Sequence, residues 1–404
     1  MLKVVVLGGY GTFGRRLVEL LSDEPDLAIV VAGRSITKAD ALRAELSSRA
    51  IVVSAEIDRN GDIDVALAAL RPNIFVDATG PFQVYGTEPY RIVEACLRHG
   101  VNYLDFSDAS AFTSGIARFD AAARAGGIFV LSSVSSAPAL SAAAARHLAE
   151  GMTCVETVES GIAPSPFAGI GRNVIEAITS YAGEPLRLLR NGQLSTAHGL
   201  TETRRMTICP PGSLPLKSRT FALVDVPDLT VIQEVLPGLR STWFGAGTAP
   251  MIYLHLLVLL ARLRRFRLIP DIGTFAGLFH HVANRLTWGE RRGGMFVRVT
   301  GRDEGGRAVS KSWHLLAEGD TGPSVPAMAI DAIIRQCLAG QSPAPGARHA
   351  AGELTLDDFA RGFAARGIVT GERRGQDRSL PLYRRVLDRA WNQLPDVIQD
   401  LHKV

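Results

Sequence analysis

Lysine is nearly missing from this chain. Of 44 basic residues only five are lysines: Lys3, Lys38, Lys217, Lys311 and Lys403. The arginines that make up the rest are scattered and mostly interleaved with acidic residues, and the net charge is +4. So mild and dispersed a balance gives no electrostatic footprint for nucleic acid, and none is expected as a partner. Cysteine is also scarce. Cys96, Cys154, Cys209 and Cys337 stand far apart with no CxxC pair. That excludes a disulfide framework and a thiolate metal site, and fits free thiols in a reducing cytoplasm. No metal is expected. The most apolar stretch, 251–261, is interrupted by His255 and is too short for the roughly 20 residues that span a bilayer. Lys3 leads straight into Val4-Val5-Val6-Leu7 and a Gly-rich turn, which reads as a strand and not as a secretory leader.

A length of 404 residues exceeds one typical core, so two domains are the natural expectation. Over the first 150 residues, short β-branched runs recur at 4–7, 28–31, 51–53, 74–76, 103–106 and 128–131, with amphipathic stretches between them. Phe13, Leu17, Leu20 and Leu21 mark the first helix. Continuous apolar strands separated by helices predict an α/β fold. Its core is an N-terminal Rossmann domain with a doubly wound parallel sheet, ordered 3-2-1-4-5-6, with ligand at the switch point. Beyond residue 150 the rhythm becomes α+β. Strands are predicted at 152–161 and 221–224, a helix at 172–181, and a hairpin from 295–300 and 308–316. Helices are predicted at 327–338, 353–363 and 380–401. The expected division is 1–145 for the Rossmann domain and 146–326 for an α+β substrate or dimerisation domain. The last part, 327–404, would be a helical segment packing back on the first.

The strongest motif is Gly8-Gly9-Tyr10-Gly11-Thr12-Phe13-Gly14, lying between a strand and a helix. It contains GxGxxG at Gly9, Gly11 and Gly14. These glycines permit the tight turn, the approach of backbone to a pyrophosphate, and close helix packing. The helix N-terminus then faces the phosphates. NAD-binding domains usually place an acid at the end of the second strand. Here that strand runs into Gly33-Arg34-Ser35, with Lys38 beyond. Arg34 is suited to hold a 2′-phosphate as a planar fork, and Ser35 and Lys38 add donors, so NADP(H) is the expected cofactor. Ala78, Thr79, Gly80 and Pro81 follow the fourth strand and are expected beside the nicotinamide ribose.

Taken together, these residues resemble the saccharopine dehydrogenase-like family of NADP-dependent oxidoreductases. The likeness rests on the glycine turn, Ala32-Gly33-Arg34-Ser35, Asp77-Ala78-Thr79-Gly80-Pro81-Phe82 with Tyr85-Gly86, and Gly100-Val101-Asn102-Tyr103-Leu104-Asp105. It covers about the first 145 residues. The resemblance implies a Rossmann domain, a second domain carrying the substrate, and hydride transfer on a C–N bond or on a lipid-linked substrate. Where family members carry a Gly- and Cys-rich turn ending in Pro-Gly, this chain has Ser132-Ser133-Val134-Ser135-Ser136-Ala137-Pro138. That departure points away from saccharopine itself.

Tyr85 and Asp108, both on loops at the catalytic edge, are the candidate proton donors. Arg172, His198 and His314 are weaker candidates. None of the seven tyrosines has a lysine four positions on, which excludes short-chain dehydrogenase chemistry. The substrate is expected to be small or lipid-linked, with a carbonyl, imine or enoyl group. An alternative is a non-catalytic NADP-binding or membrane-surface adaptor. It rests on 251–267, where the apolar stretch ends in Arg262, Arg264, Arg265 and Arg267. This segment reads either as a buried helix with a basic exit or as a peripheral contact with the inner membrane face. The sequence leaves a homodimer open.

Overall fold

The structure is a computed structural model that describes residues 1–401 apart from 170, 217, 271, 286, 320 and 376–386. The first sheet has seven parallel strands. They are β1 (Leu2–Leu7), β2 (Leu27–Gly33), β3 (Ile51–Glu56), β4 (Ile74–Asp77), β5 (Asn102–Asp105), β6 (Phe129–Ser132) and a late addition, β15 (Gly346–His349). Their order is β15-β6-β5-β4-β1-β2-β3. This is the anticipated 3-2-1-4-5-6 order with one strand added beyond β6. Val4, Val5 and Val6 of β1 are fully buried because helices cover both faces. The crossover helices are α1 (Thr12–Leu21), α2 (Ile36–Glu45), α3 (Ile63–Leu70), α4 (Arg91–His99), α5 (Ser110–Gly115) and α6 (Asp120–Gly126).

Helix α7 (Ser141–Ala149) leads into the second sheet through β7 (Met152–Ala163). That sheet is mixed, in the order β10-β11-β12-β7-β13-β14-β16. Its strands are β10 (Thr203–Met206), β11 (Arg219–Leu223), β12 (Ser241–Gly247), β13 (Arg292–Asp303), β14 (Ala308–Glu318) and β16 (Val369–Arg374). Only β12 with β7 is parallel; the other pairs are antiparallel. The β13–β14 hairpin turns where Asp303 accepts the amides of Gly305 and Arg307. A separate hairpin is formed by β8 (Pro185–Arg190) and β9 (Gln193–His198). Helices α8 (Arg172–Tyr181), α9 (Asp228–Val235), α10 (Met251–Arg265) and α11 (Ala276–Arg285) complete this half.

One hydrophobic cluster joins the two sheets. It runs from Val4, Val6 and Val31 through Leu140 and Ala144 of the α7 region to Phe221, Phe296 and Leu315. Helix α12 (Val325–Leu338) packs on α1 and adds Ile330, Ile333 and Ile334, none of them exposed. A second cluster fills the opposite face of the first sheet under α3 and α4.

The C-terminal part differs from its expected all-helical character. It gives β15 to the first sheet and β16 to the second. Strand β15 is only four residues long and is held by the Ala347 amide on Asp120, so it leaves no periodic signal. Helix α13 (Asp357–Ala365) starts four residues later than expected. There Asp358 accepts the amide and hydroxyl of Thr355, and Leu354 turns into the core. The helix expected at 380–401 lies partly outside the described residues. Its described part ends in a short helix, Asp396–Leu401.

If α12 anchors this shared core, Ile333→Ala will cost about 2–5 kcal/mol, as other buried aliphatic truncations do. A urea midpoint measurement reads this directly. An unchanged midpoint would mean that the α12 layer adds little to stability.

Candidate active site at the carboxyl edge of the first sheet

The glycine turn closes against the backbone of two neighbouring strands. Gly8 has φ +79, and a Cβ there would lie 2.7 Å from the Ala78 carbonyl oxygen. The left-handed residue is therefore Gly8, one position before the GxGxxG glycine expected to make the turn. Gly14 brings the first turn of α1 so close to the Gly8 carbonyl that any side chain would collide with backbone. No side chain caps α1 at Gly11. The first amides of the helix are thus presented at the sheet edge, as a diphosphate requires.

Tyr10 extends sideways from the turn to the end of β2. Its ring lies over Gly33, where a Cβ would meet the hydroxyl at 2.5 Å. Its hydroxyl accepts the Ser35 amide at 3.0 Å. Tyr10 thereby sets the path of Arg34 and Ser35 from the glycine turn. Ser35 caps α2 by accepting the Lys38 amide at 3.4 Å, which leaves its own proton to donate. Arg34 and Lys38 are exposed. These residues fit a nucleotide that carries a 2′-phosphate.

After β4 the chain folds back on itself. Asp77, buried at the strand end, accepts the Thr79 amide at 3.0 Å and the Thr79 hydroxyl at 2.7 Å. The Tyr85 hydroxyl sits 2.7 Å from Thr79 Oγ1, and the Arg59 guanidinium covers the Tyr85 ring at 3.4 Å. Burial, with Asp77 beside it, pushes the Tyr85 phenol well above its ordinary value. Tyr85 therefore braces the loop from within, and the Thr79 side chain is engaged in the same knot. The backbone of Thr79 and Gly80 faces the second domain instead. Asn173, on the first turn of α8, donates to both carbonyls at 3.2 and 3.1 Å. In the same region Gly171 lies against Thr12, where a Cβ would be 2.7 Å from its hydroxyl. The second domain thus touches both the glycine turn and the β4 loop.

Two aspartates follow β5. Asp105 is fully buried and accepts the Ser107 and Ser133 amides and the Ser132 hydroxyl. Burial raises it to about 7 despite those three donors. Asp108 has one side-chain donor, Gln83 at 3.0 Å. Burial raises it to about 6; the Gln83 bond opposes the shift and the charge of Asp225 adds to it. Asp225, in the loop between β11 and α9, is itself raised by burial against the opposing hydrogen bonds of Ser110. The buried Tyr181 phenol, at the far end of α8, is raised by burial and then by Asp108 and Asp225. A carboxyl from each domain and a phenol therefore lie within electrostatic range of one another.

Other sequence candidates fall elsewhere. Arg172 pairs with Glu176 one turn along α8, and its neighbour Asn173 reaches the loop. His314 is a buried strand residue bonded to the Cys209 amide and Ser312, and burial lowers it to about 4. His198 lies in the β8–β9 hairpin. Sequence reasoning missed Asn173, Tyr181, Gln83 and Asp225, which carry no motif. Tyr85 also borders an open cavity of ≈ 1150 Å³ against α3 and α4, lined in part by Asp62, Glu88, Arg91 and Arg98; neither the glycine turn nor Asp108 lines it.

The first domain matches a family described as the saccharopine dehydrogenase NADP binding domain over residues 4–131. Among solved structures, apo saccharopine dehydrogenase (L-Glu forming) from Saccharomyces cerevisiae shares the fold. Its TM-score is 0.63 at 13% identity, and the match covers 93% of this chain and 100% of that one. A meso-DAPDH mutant from Clostridium tetani aligns with TM-score 0.41 at 14% identity, over 89% of this chain and 99% of that one. No curated protein sequence matches the chain. The match supports a nicotinamide dinucleotide as the cofactor of this domain.

Gly14→Ala should force α1 away from the turn. The expected result is a loss of about 1–3 kcal/mol of stability from overpacking, together with weaker NADPH binding in a fluorescence titration. Unchanged affinity would mean that the α1 amides do not hold the diphosphate.

Proposed function

We propose that this chain, whose cofactor domain is of the saccharopine dehydrogenase type, is an NADP(H)-dependent oxidoreductase acting on a carbonyl, imine or enoyl group of a small or lipid-linked substrate. The observation that carries this reading is the uncapped α1 N-terminus beside a second strand that ends in Gly33-Arg34-Ser35 with no acid. On this reading residues 1–145 hold the cofactor, 146–326 shape the substrate site, and 327–404 tie the two together.

The turn at Gly8, Gly9, Tyr10 and Gly11, closed by the Gly11 amide on the Gly8 carbonyl, and the amides of Thr12, Phe13 and Gly14 would cradle the diphosphate. Arg34, Ser35 and Lys38 would hold the 2′-phosphate, and the backbone of Ala78, Thr79, Gly80 and Pro81 would border the nicotinamide ribose. The bound nucleotide supplies hydride chemistry, and the protein supplies position and polarity. Asn173 holds the β4 loop against α8, so the second domain adjoins the reacting edge.

Asp108 is the preferred proton carrier. Its carboxyl titrates near the working range of an acid–base group, whereas the Tyr85 hydroxyl is engaged by Asp77 and Thr79. Gln83 fixes the Asp108 carboxyl, and Asp225 favours its protonated form. This arrangement argues for catalysis over the adaptor alternative, because an adaptor has no use for a tuned acid.

Two experiments test the reading. Arg34→Ala should weaken NADPH binding by roughly tenfold or more and leave NADH nearly unchanged, since a charge-assisted contact is worth about 1.5–3 kcal/mol. Equal effects on both nucleotides would remove Arg34 from the 2′-phosphate. For Asp108, the sign follows from direction. In reduction the protonated carboxyl donates, so kcat/KM should fall as pH rises through about 6. In oxidation the carboxylate accepts, so kcat/KM should rise through the same range. Asp108→Asn should lower kcat by about 10²–10⁴, erase that inflection and keep NADPH affinity. Full activity in this variant would exclude Asp108.

A further inference from the structure

Helix α10 is apolar on two opposite faces, and only one is covered. Leu254, Val258 and Ala261 are buried at 3%, 6% and 0% exposure. Ile252, Leu256 and Leu259 are 62%, 48% and 54% exposed. At about 100° per residue these three fall within roughly 60° of one another, nearly opposite the buried set. The exposed stripe continues into Phe266 and Leu268, also exposed. Trp288, exposed as well, meets Tyr253 of the same helix at 5.9 Å between ring centroids. Neither of the two readings open from sequence, a buried helix or an interfacial one, describes α10 alone: one face joins the core and the other is bare.

The charge around this face has one sign. Residues 235–270 contain no Asp or Glu, and five arginines: Arg240, Arg262, Arg264, Arg265 and Arg267. Arg264 pairs with Glu184, and Arg262 donates to the Thr201 carbonyl. Arg265 lies over the Phe266 ring, and Arg265 and Arg267 are exposed beside Phe266 and Leu268. At 15 residues, α10 is about 22 Å long, shorter than the roughly 30 Å hydrocarbon core. Among the described residues no helix is long and apolar enough to cross a membrane. An amphipathic surface helix with an arginine end and aromatic flanks suits the plane of a bilayer.

We propose that the α10 face is a docking surface for an anionic lipid bilayer. Ile252, Leu256 and Leu259 enter the acyl boundary, and Arg265 and Arg267 meet lipid phosphates. A second copy of this chain is the weaker occupant, because a two-fold pairing would set the exposed Arg265 and Arg267 of each copy against those of the other. The inference is independent of the cofactor assignment.

The test is flotation of the full chain with vesicles of phosphatidylcholine alone and of phosphatidylcholine with phosphatidylglycerol. The protein should float with the anionic vesicles only, and less so as salt is raised. Leu256→Ser with Leu259→Ser, and separately Arg265→Ala with Arg267→Ala, should each lower partitioning on the order of tenfold. Both double variants should keep wild-type thermal melting and NADPH binding, since the residues are exposed and outside the site. No flotation of the wild type overturns the proposal, as does wild-type flotation of both variants. A concentration-dependent dimer that the Leu256→Ser, Leu259→Ser variant dissociates, without any lipid binding, would assign the face to a second copy instead.

Discussion

Everything at the candidate site depends on how closely α1 approaches the backbone of Gly8. The carbonyl of Gly8 faces Gly14, and the backbone of Gly8 faces the carbonyl of Ala78. A side chain at either glycine would separate the helix from the turn, or the turn from β4. The contact sets where the helix amides emerge relative to two strand ends. Tyr10 then transmits the same geometry to β2, since its ring requires Gly33 and its hydroxyl holds the Ser35 amide. Four chain segments are thus fixed by contacts between backbone atoms and one phenol. Such contacts are stiff, and stiffness is what a phosphate site needs if its donors are to be oriented before the ligand arrives.

The second constraint is the shared core. Because α7 and α12 belong to the cluster that joins both sheets, the second domain is packed against the first and not merely tethered to it. Helix α8 uses that packing. Its first turn holds the Thr79 and Gly80 carbonyls, and its last residue brings the Tyr181 phenol near Asp108 and Asp225. One helix of about 15 Å therefore runs from the cofactor edge towards the two carboxyls. Residues from both domains would be needed for any reaction there.

What the sequence disclosed follows from the range of each signal. The parallel sheet was legible because strands such as β1, β2 and β4 are apolar runs flanked by helical spacing, and the glycine turn because its spacing is fixed by local backbone geometry. Arg34 stands out as a candidate because one strand-end position discriminates between the nucleotides. Asn173, Tyr181, Gln83 and Asp225 were not legible, since each acquires its neighbours only when distant segments fold together. Strand β15 was hidden for a similar reason: four residues, Gly-Ala-Arg-His, carry no period, and their pairing with β6 joins positions more than 200 residues apart. The stretch at 251–261 was read correctly as apolar, but composition does not tell one covered face from two.

The contrast between Asp105 and Asp108 bears most directly on chemistry. Both follow β5, and burial raises both. Asp105 is surrounded by three donors from its own and the neighbouring loop, so it joins β5 to β6 and serves the fold. Asp108 has one side-chain donor, and the charge of Asp225 favours its protonated form, so its carboxyl is less committed to holding the fold. On the proposed reading this has a consequence for substrate charge. A substrate carboxylate brought beside Asp108 and Asp225 would add a third negative charge to a poorly solvated region, where like charges raise one another's pKa and oppose binding. A neutral carbonyl meets no such repulsion, and an iminium carbon would be attracted. The electrostatics therefore favour a reacting centre that is neutral or becomes positive, with any acidic part of the substrate directed away from the carboxyl pair.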